Sequence, residues 1–369
     1  MAEKVKIAMI GVGAISGIYL QNITNMFTEI EIIGVCDLVC ERAENVQKEY
    51  NIPKVYKTME EAFADPDVEI VLNLTRPYEH YEVTKAALLA GKHVYTEKPL
   101  AADLDEGLEL AQLAKEKGLM LGGAPDTFLG AGMQTARSIV DNGLIGDIVG
   151  GSAFMVCHGH ESWHPDPEFY YKRGGGPMMD MGPYYLTTMI NLMGGVKGVM
   201  GMTRSSFSKR IITAAPKFGQ VIDVDIPTHC AGMMEFESGA IGTIFTTFDV
   251  HYKTQARFEL YGTHGTLMLH DPNHFSGPTL MLRPEDGEYK EMPLMFDYKE
   301  NSRGLGLADM AKAIKTGREF RTDCQQILHV LELITAFNKS SDQRAYLPMQ
   351  TKYARRMPMK NNPMHGVLD

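Results

Sequence analysis

Apolar residues in the first third of the chain fall into short unbroken runs, and between the runs they recur every three or four positions. The runs are Val5–Ile10, Ile30–Cys36, Ile70–Leu74, Val94–Thr96 and Met120–Gly122. The periodic stretches are Ile15–Phe27, Glu41–Tyr50, Glu60–Ala64, His80–Ala90 and Leu104–Lys117. An unbroken apolar run marks a strand buried on both faces, and a 3.6-residue period marks a helix with one buried face. Their alternation predicts an α/β domain with a doubly wound parallel sheet over residues 1–124.

Near residue 125 the pattern changes. A helix over Gly130–Asn142 precedes a series of strand-like segments: Val149–His158, Val196–Arg204, His229–Glu237, Ala240–Asp249, Ala256–Gly262 and Thr266–His270. Glu237-Ser238-Gly239 and Gly262-Thr263-His264-Gly265 are hairpin links between them. One helix, Pro177–Met193, interrupts the series. Residues 125–369 are therefore predicted to form a second α/β domain with a largely antiparallel open sheet. Helices Leu305–Thr316 and Asp323–Lys339, within 305–340, return to pack on the first domain.

Composition narrows the partners. A chain of 369 residues can bury two cores. Its formal net charge of −10 argues against nucleic acid or an anionic membrane as the main partner. No apolar run approaches the roughly 18 residues of a membrane helix. Lys4 and Lys6 before Ile7–Leu20 imitate a signal peptide in outline, but the glycines inside that run form a turn pattern. The five cysteines are odd in number and scattered, as expected of free thiols in the cytoplasm. The 25 methionines suit adaptable packing and carry no functional reading.

Candidate chemistry begins at Gly11-Val12-Gly13-Ala14-Ile15-Ser16-Gly17, a glycine-rich turn between a strand and a helix. Glycine permits the tight turn and lets backbone approach a pyrophosphate at the helix N-terminus. Asp37 ends the second strand 20 residues beyond Gly17. A carboxylate there accepts hydrogen bonds from ribose hydroxyls and repels a 2′-phosphate, so NAD is favoured over NADP. Arg42 pulls the other way. Thr75, Arg76 and Pro77 follow the third strand and are expected under the nicotinamide half of the cofactor. His80 either contacts the cofactor or caps its helix. Glu97 and Lys98 close the strand that Pro99 stops. In an open parallel sheet ligands bind outside the carboxyl ends of the strands, so Lys98 is placed to touch substrate and cofactor together.

The richest polar stretch is His158-Gly159-His160-Glu161-Ser162-Trp163-His164, continuing to Gly174-Gly175-Gly176-Pro177 and Asp180-Met181-Gly182-Pro183-Tyr184. On one continuous helix Asp180 and Tyr184 are i and i+4, near an N-terminus that favours anions. That pair suits hydroxyl binding and proton transfer; an Asp bonding local amides and a Tyr in the core fit it as well. His158, His160 and His164 suit a polar sugar, and Trp163 a stacking surface for a sugar ring or the nicotinamide. Cys157, Asp166 and these histidines have no spacing characteristic of a ligand set, so no metal is expected. Asp126, just past the last strand of the first domain, is a candidate to bond sugar hydroxyls.

The glycine-rich turn, Ala90-Gly91-Lys92-His93-Val94 leading into Glu97-Lys98-Pro99, and Gly174-Gly175-Gly176 before Asp180 together resemble the Gfo/Idh/MocA oxidoreductases (glucose–fructose oxidoreductase, inositol dehydrogenase and relatives) over nearly the whole chain. The resemblance implies an NAD(P)-binding Rossmann domain and a C-terminal domain whose open sheet assembles homo-oligomers, commonly dimers or tetramers. It implies hydride transfer at a secondary alcohol of a sugar, glycoside or inositol, with the sugar C3 hydroxyl of a glycoside as one such position.

One departure stands out. The family's motif is D-x-G-x-H, its histidine being the usual acid/base, whereas this chain has Tyr184 there. A phenol near pKa 10 is a poor base at neutral pH unless a cation such as Lys98 lowers it. On that reading Tyr184, helped by Lys98 and Asp180, takes the hydroxyl proton; Asp180 or one of His158, His160 and His164 is the rival. Two other functions fit the same family: a glycosidase using NAD for transient oxidation, and a non-enzymatic NAD(P) sensor. Replacing Lys98 separates catalysis from cofactor binding. Lys98→Ala is expected to lose more than about 100-fold in turnover and to keep NAD binding, read by fluorescence titration; near-normal turnover would remove Lys98 from the reaction.

Overall fold

Strands whose two faces are both apolar need cover on both sides, and the N-terminal half supplies it with a helix after nearly every strand. The computed structural model describes residues 3–251, 257–361 and 364–369. Its elements begin β1 (Val5–Ile10), α1 (Ser16–Asn25), β2 (Ile30–Cys36), α2 (Cys40–Tyr50), β3 (Lys54–Val55), α3 (Met59–Ala64), β4 (Ile70–Asn73), α4 (His80–Leu89), β5 (His93–Thr96), α5 (Leu104–Lys117) and β6 (Leu121–Gly123). They continue with α6 (Ala131–Asp141), β7 (Ile148–Val156), α7 (Pro177–Asp180), α8 (Gly182–Met193), β8 (Val196–Arg204), β9 (Lys209–Ile211), β10 (Val221–Asp223), β11 (His229–Phe236) and β12 (Ile241–Thr247). The last are β13 (Arg257–Gly262), β14 (Gly265–Leu269), β15 (Leu280–Leu282), β16 (Lys290–Glu291), α9 (Leu305–Thr316), α10 (Cys324–Gln343) and β17 (Leu347–Pro348). The strand expected from Ala256 is described from Arg257; Ala256 itself, like residues 1 and 2, lies outside the described residues.

The chain divides into two compact units. The first comprises 1–130, 296–328 and 356–369, and the second 131–295 and 329–355. The first unit runs past the expected boundary at 124 and 125 to Gly130, and α9 with the start of α10, from the 305–340 helices expected to pack back on the first domain, clusters with it.

The first unit is a six-stranded sheet in the order β3-β2-β1-β4-β5-β6, parallel throughout. Strand order reverses between β1 and β4, which pair directly from Ile7 with Ile70 to Ile10 with Asn73. That reversal opens a crevice at the carboxyl ends of the two strands. The C-terminal segment closes the far edge of the sheet, where the Gly123 N–H donates to Thr322 O at 3.0 Å. It also joins α9 to the sheet through Asp126, whose carboxylate accepts from the N–H groups of Gly304 (2.9 Å) and Gly306 (3.1 Å).

The second unit is built on a nine-stranded sheet, β16-β15-β14-β13-β7-β12-β11-β8-β17. Only β7 and β12 run parallel; the other neighbours are antiparallel. Every residue of α8 is buried. The outer face of the sheet keeps apolar side chains exposed, among them Met200, Met202, Met233 and Phe154. β9 and β10 pair separately as a short hairpin in a segment, 205–228, that has no periodicity in the sequence.

Two expectations change. The helix foreseen over Pro177–Met193 is interrupted at Met181, so Asp180 ends α7 and Tyr184 belongs to α8. Pro183 is the cause: it has no N–H to continue the hydrogen-bond ladder and sits in the first turn of α8. The i, i+4 stacking of Asp180 and Tyr184 on one continuous helix therefore does not hold. Asp126, expected to bond a sugar, is only 1% exposed and is used inside the first unit as the cap of α9.

Burial raises the Asp126 pKa to about 6, partly offset by the Gly306 and Gly304 N–H groups and Arg303. A carboxyl whose folded pKa lies above its unfolded value near 3.9 contributes fully below about pH 4, and the contribution is lost as pH rises through about 6. Asp126→Asn keeps an acceptor for the two N–H groups without a charge. Between pH 4.5 and 7 the wild type is expected to lose about 2 kcal/mol relative to this variant, measured by urea unfolding at both pH values.

Candidate active site

The first unit shapes its glycine-rich turn by a close approach of backbone to backbone. Gly11 has φ +92°, and a Cβ there would lie 2.8 Å from Leu74 O, so only glycine lets β1 turn beside β4. Gly13 is different: a Cβ on it would meet nothing within 4 Å. The protein's own packing does not require that glycine, which leaves open space over the turn. Gly13, Ala14 and Ile15 are exposed, and the N-terminus of α1 has no side-chain cap. Ser16 faces inward, its hydroxyl donating to Gly13 O at 2.7 Å. Unclaimed N–H groups facing an open cradle fit the pyrophosphate of a dinucleotide.

Asp37 is held for the adjoining ribose. Its Oδ2 accepts from Val12 N at 2.9 Å and its Oδ1 from Val39 N at 2.8 Å. A carboxylate retains further lone pairs for hydroxyl donors. Arg42 is exposed in the first turn of α2.

The loop after β4 is organised by Asn73, which accepts from the Thr75 hydroxyl at 2.6 Å and donates to His80 O and the Thr84 hydroxyl. Arg76 is exposed, with its guanidinium 3.2 Å from the Tyr78 hydroxyl, and Pro77 follows it. His80 is 1% exposed, and its ring nitrogens lie 2.6 Å from Pro99 O and 3.1 Å from Thr75 O. Burial lowers its pKa against the pull of those two carbonyls. His80 thus ties the loop after β4 to the loop after β5, and its ring is spent on that bracing. Glu97 is also turned inward: Tyr19 donates to its Oε1 at 2.8 Å and Lys98 N to its Oε2 at 3.0 Å. The bracket fixes the Lys98 backbone and leaves the Lys98 side chain half-buried.

In the second unit, His160 and Asp180 come together although neither sequence distance nor a shared helix links them. His160 Nε2 lies 3.3 Å from Asp180 Oδ2. Aromatic rings surround the imidazole: Tyr170 at 4.1 Å, Phe248 at 4.7 Å and Trp163 at 5.3 Å between ring centroids. Trp163 is 61% exposed and offers an open aromatic face. His164 packs against Trp163, Phe169 and Tyr170, and its pKa is lowered by burial and by His160. His158 stacks on His251 instead, 3.6 Å between centroids, and burial together with Arg210 lowers its pKa. Tyr184 is buried on α8, 7% exposed.

The pattern of the chain did not single out Tyr170, Glu161, Arg210 or Phe248, although they frame His160. Arg210 and Glu161 are charged residues, each 6% exposed, and only their burial marks them.

Comparison with known proteins covers most of the chain. Residues 5–123 match a family model described as "Oxidoreductase family, NAD-binding Rossmann fold", and residues 133–268 match the GFO/IDH/MocA C-terminal domain. A D-xylose dehydrogenase of Paenarthrobacter nicotinovorans is 26% identical over 303 residues, covering 76% of this chain and 77% of that protein. A myo-inositol 2-dehydrogenase of Thermotoga maritima is 24% identical over 310 residues, covering 84% and 87%. Among solved structures, a levoglucosan dehydrogenase in complex with NADH and L-sorbose superposes with a TM-score of 0.81 at 17% identity, covering 94% of this chain and 99% of that one. The chain belongs to the Gfo/Idh/MocA family of oxidoreductases, and its first unit carries that family's NAD-binding Rossmann domain.

Proposed function

We propose that the protein is an NAD-dependent dehydrogenase that oxidises a secondary hydroxyl of a sugar, glycoside or inositol, the C3 hydroxyl of a glycoside among them. The observation that carries this is the His160–Asp180 contact beside the exposed Trp163. An aromatic face next to a polar pair suits the C–H face and hydroxyl edge of a carbohydrate ring. The relatives named for D-xylose and myo-inositol support the same substrate class.

Bound NAD supplies the hydride acceptor. Asp37, anchored by two backbone amides, accepts from its ribose hydroxyls and disfavours NADP. Asp180 holds the hydrogen of His160 on Nε2, which leaves Nδ1 with the lone pair. As the alcohol carbon loses hydride with its electron pair, the C–O bond becomes a carbonyl and the hydroxyl proton passes to His160 Nδ1. Asp180 stabilises the imidazolium so formed. Lys98 donates to the reacting oxygen, and Tyr184, in the place of the family's usual histidine, orients the substrate. On this reading the protein falls into a subgroup with tyrosine in place of the usual catalytic histidine, and His160 of the 157–172 loop supplies the imidazole.

Two features support the rest of the reading. All five cysteines are unpaired, as suits the reducing cytoplasm. The apolar outer face of the second sheet, with Met202 at 77% exposure, suits a second copy of the chain and hence a homo-oligomer. Among the described residues no helix is long and apolar enough to cross a membrane.

A panel of sugars, inositols and glycosides with NAD and NADP, followed by reduced-cofactor absorbance, tests the assignment; silence across the panel refutes it. His160→Ala is expected to cost about 10²–10⁴-fold in turnover, and Tyr184→Phe less than about tenfold. The opposite order would return the proton to Tyr184. Met202→Lys is expected to lower the assembly state in light scattering, and an unchanged mass would move the interface elsewhere.

A further inference from the structure

The 157–172 loop carries His160 and Trp163, yet it contains no long regular element: a short 3-10 turn over Glu168–Tyr171 is its one helical stretch. What holds it is the β9–β10 hairpin and its flanks. Thr213 N and Ala214 N both donate to Glu161 O at 2.9 Å, and Asp225 N donates to Tyr171 O at 3.1 Å. Lys217 pairs with Asp166 and Glu168, and Lys172 with Asp225 at 2.7 Å.

Arg210 is the centre of this clasp. β9 alternates, with Lys209 and Ile211 exposed and Arg210 turned inward at 6% exposure. Its guanidinium forms an ion pair with Glu161, donates to His158 O at 2.8 Å and to Phe248 O at 3.1 Å, and lies 3.5 Å from Asp249 Oδ1. Its plane lies over Tyr171 and Phe207, 5.7 and 5.1 Å from the ring centroids. It therefore grips the chain on both sides of His160, at His158 and at Glu161. It also grips Phe248, whose ring packs on the imidazole. Gly159 makes the wrap possible: its φ is +80°, and a Cβ would strike Glu161 Oε2, the Tyr171 hydroxyl and the Arg210 guanidinium. A chain bent this tightly around a buried cation has few other ways to present the residue in its middle.

The charges are unequal. One guanidinium faces two buried carboxylates, Glu161 and Asp249, and Asp249 also accepts from Thr228 and from Ser206 N. His160 meets Asp180 from α7 and Tyr170 from the 3-10 turn and shares its loop with Glu161 and His164, while Arg210 from β9 pairs with that neighbouring Glu161 and with Asp249 after β12.

The geometry points to Arg210 as the positioning residue of the proton-accepting imidazole: it fixes the 158–161 turn so that His160 faces Asp180, and its charge offsets Glu161 and Asp249. This rests on the proposed role of His160 as proton acceptor. Arg210 touches neither substrate nor cofactor in this role; it acts through the turn it holds. Removing its charge leaves two carboxylates near His160, which favours the imidazolium and raises the pH at which the ring becomes a base. Removing its hydrogen-bonding fork without the charge, as lysine does, loosens the turn and spares the electrostatics.

The test compares Arg210→Met, Arg210→Lys and the double variant Arg210→Met with Glu161→Gln. NAD affinity is measured first, by fluorescence titration, as a check of the first unit. In Arg210→Met, kcat is expected to fall about 10–100-fold, a fraction of a general-base contribution. The acidic limb of the kcat/KM profile is expected to rise by about one pH unit. Arg210→Lys should recover the limb and part of kcat. The double variant should recover the limb and leave kcat low, and it stands in if a lone buried Glu161 prevents Arg210→Met from folding. The His160 ring titration, followed by NMR in the same variants, reads the inference without turnover. A His160 titration that stays at the wild-type pH in Arg210→Met overturns it, as does wild-type kcat in the double variant. A wild type silent on the whole alcohol panel would instead refute the dehydrogenase reading, and the NMR titration would still decide the role of Arg210.

Discussion

A parallel strand buried on both faces has no side for a functional group, so polar chemistry is driven to its carboxyl end. Everything the first unit offers a ligand obeys this constraint. Gly11 turns directly off β1, Asp37 directly off β2, Thr75 just beyond β4 and Lys98 just beyond β5. Strand order reverses between β1 and β4, and there the approach of Gly11 to Leu74 O allows no side chain. The sheet interior stays apolar and rigid, and its rim carries the donors and acceptors. Second-line residues then steady the rim: Asn73 and His80 join two of the loops, and Glu97 with Tyr19 fixes the backbone of Lys98.

The second unit solves a different problem. Its sheet is largely antiparallel, with one face covered by helices, and it carries His160, the imidazole proposed as proton acceptor, on an irregular loop instead of a strand end. An irregular loop is held in place only if something satisfies its backbone, and here buried charge does so. Arg210 binds two carbonyls and a carboxylate at once, with a spare carboxylate behind it. Burying such a group is costly unless all its donors are used, so the arrangement commits the loop to one conformation. The same reasoning explains Asp126. A carboxyl carried into the interior finds two helix N–H groups and is retained there as a cap, at the expense of its ease of ionisation.

Much of this was legible from local pattern. The runs of apolar residues gave five of the six strands of the first sheet to within a residue or two, because a doubly buried strand must be apolar throughout; β3, two residues at the sheet edge, carries no such run. The glycine turn was legible because the close backbone approach at Gly11 calls for glycine, and Asp37 because the end of the second strand falls at a fixed spacing from that turn. The hairpin links at Glu237-Ser238-Gly239 and Gly262-Thr263-His264-Gly265 were legible because tight turns admit few residue types, and Gly239 indeed has φ +87°. Less visible was the break at Met181, where an apolar period continues unchanged while Pro183 withdraws one hydrogen bond. The β9–β10 hairpin was not visible at all, since two three-residue strands carry too little alternation to register.

By itself, then, the sequence determined the two-part organisation, the parallel sheet, the dinucleotide turn and the family to which the chain belongs. Each of these depends on residues near one another in the chain or on periodicity. Only the tertiary structure decided which polar residues meet. It turned Asp126, His80 and Glu97 inward, brought His160 to Asp180, and gathered Glu161 and Asp249 around the buried Arg210. The physical reason is that a polar side chain is defined by the partner that satisfies it, and such partners lie far off along the chain: 20 residues for His160 and Asp180, 49 for Glu161 and Arg210, and 180 for Asp126 and Gly306.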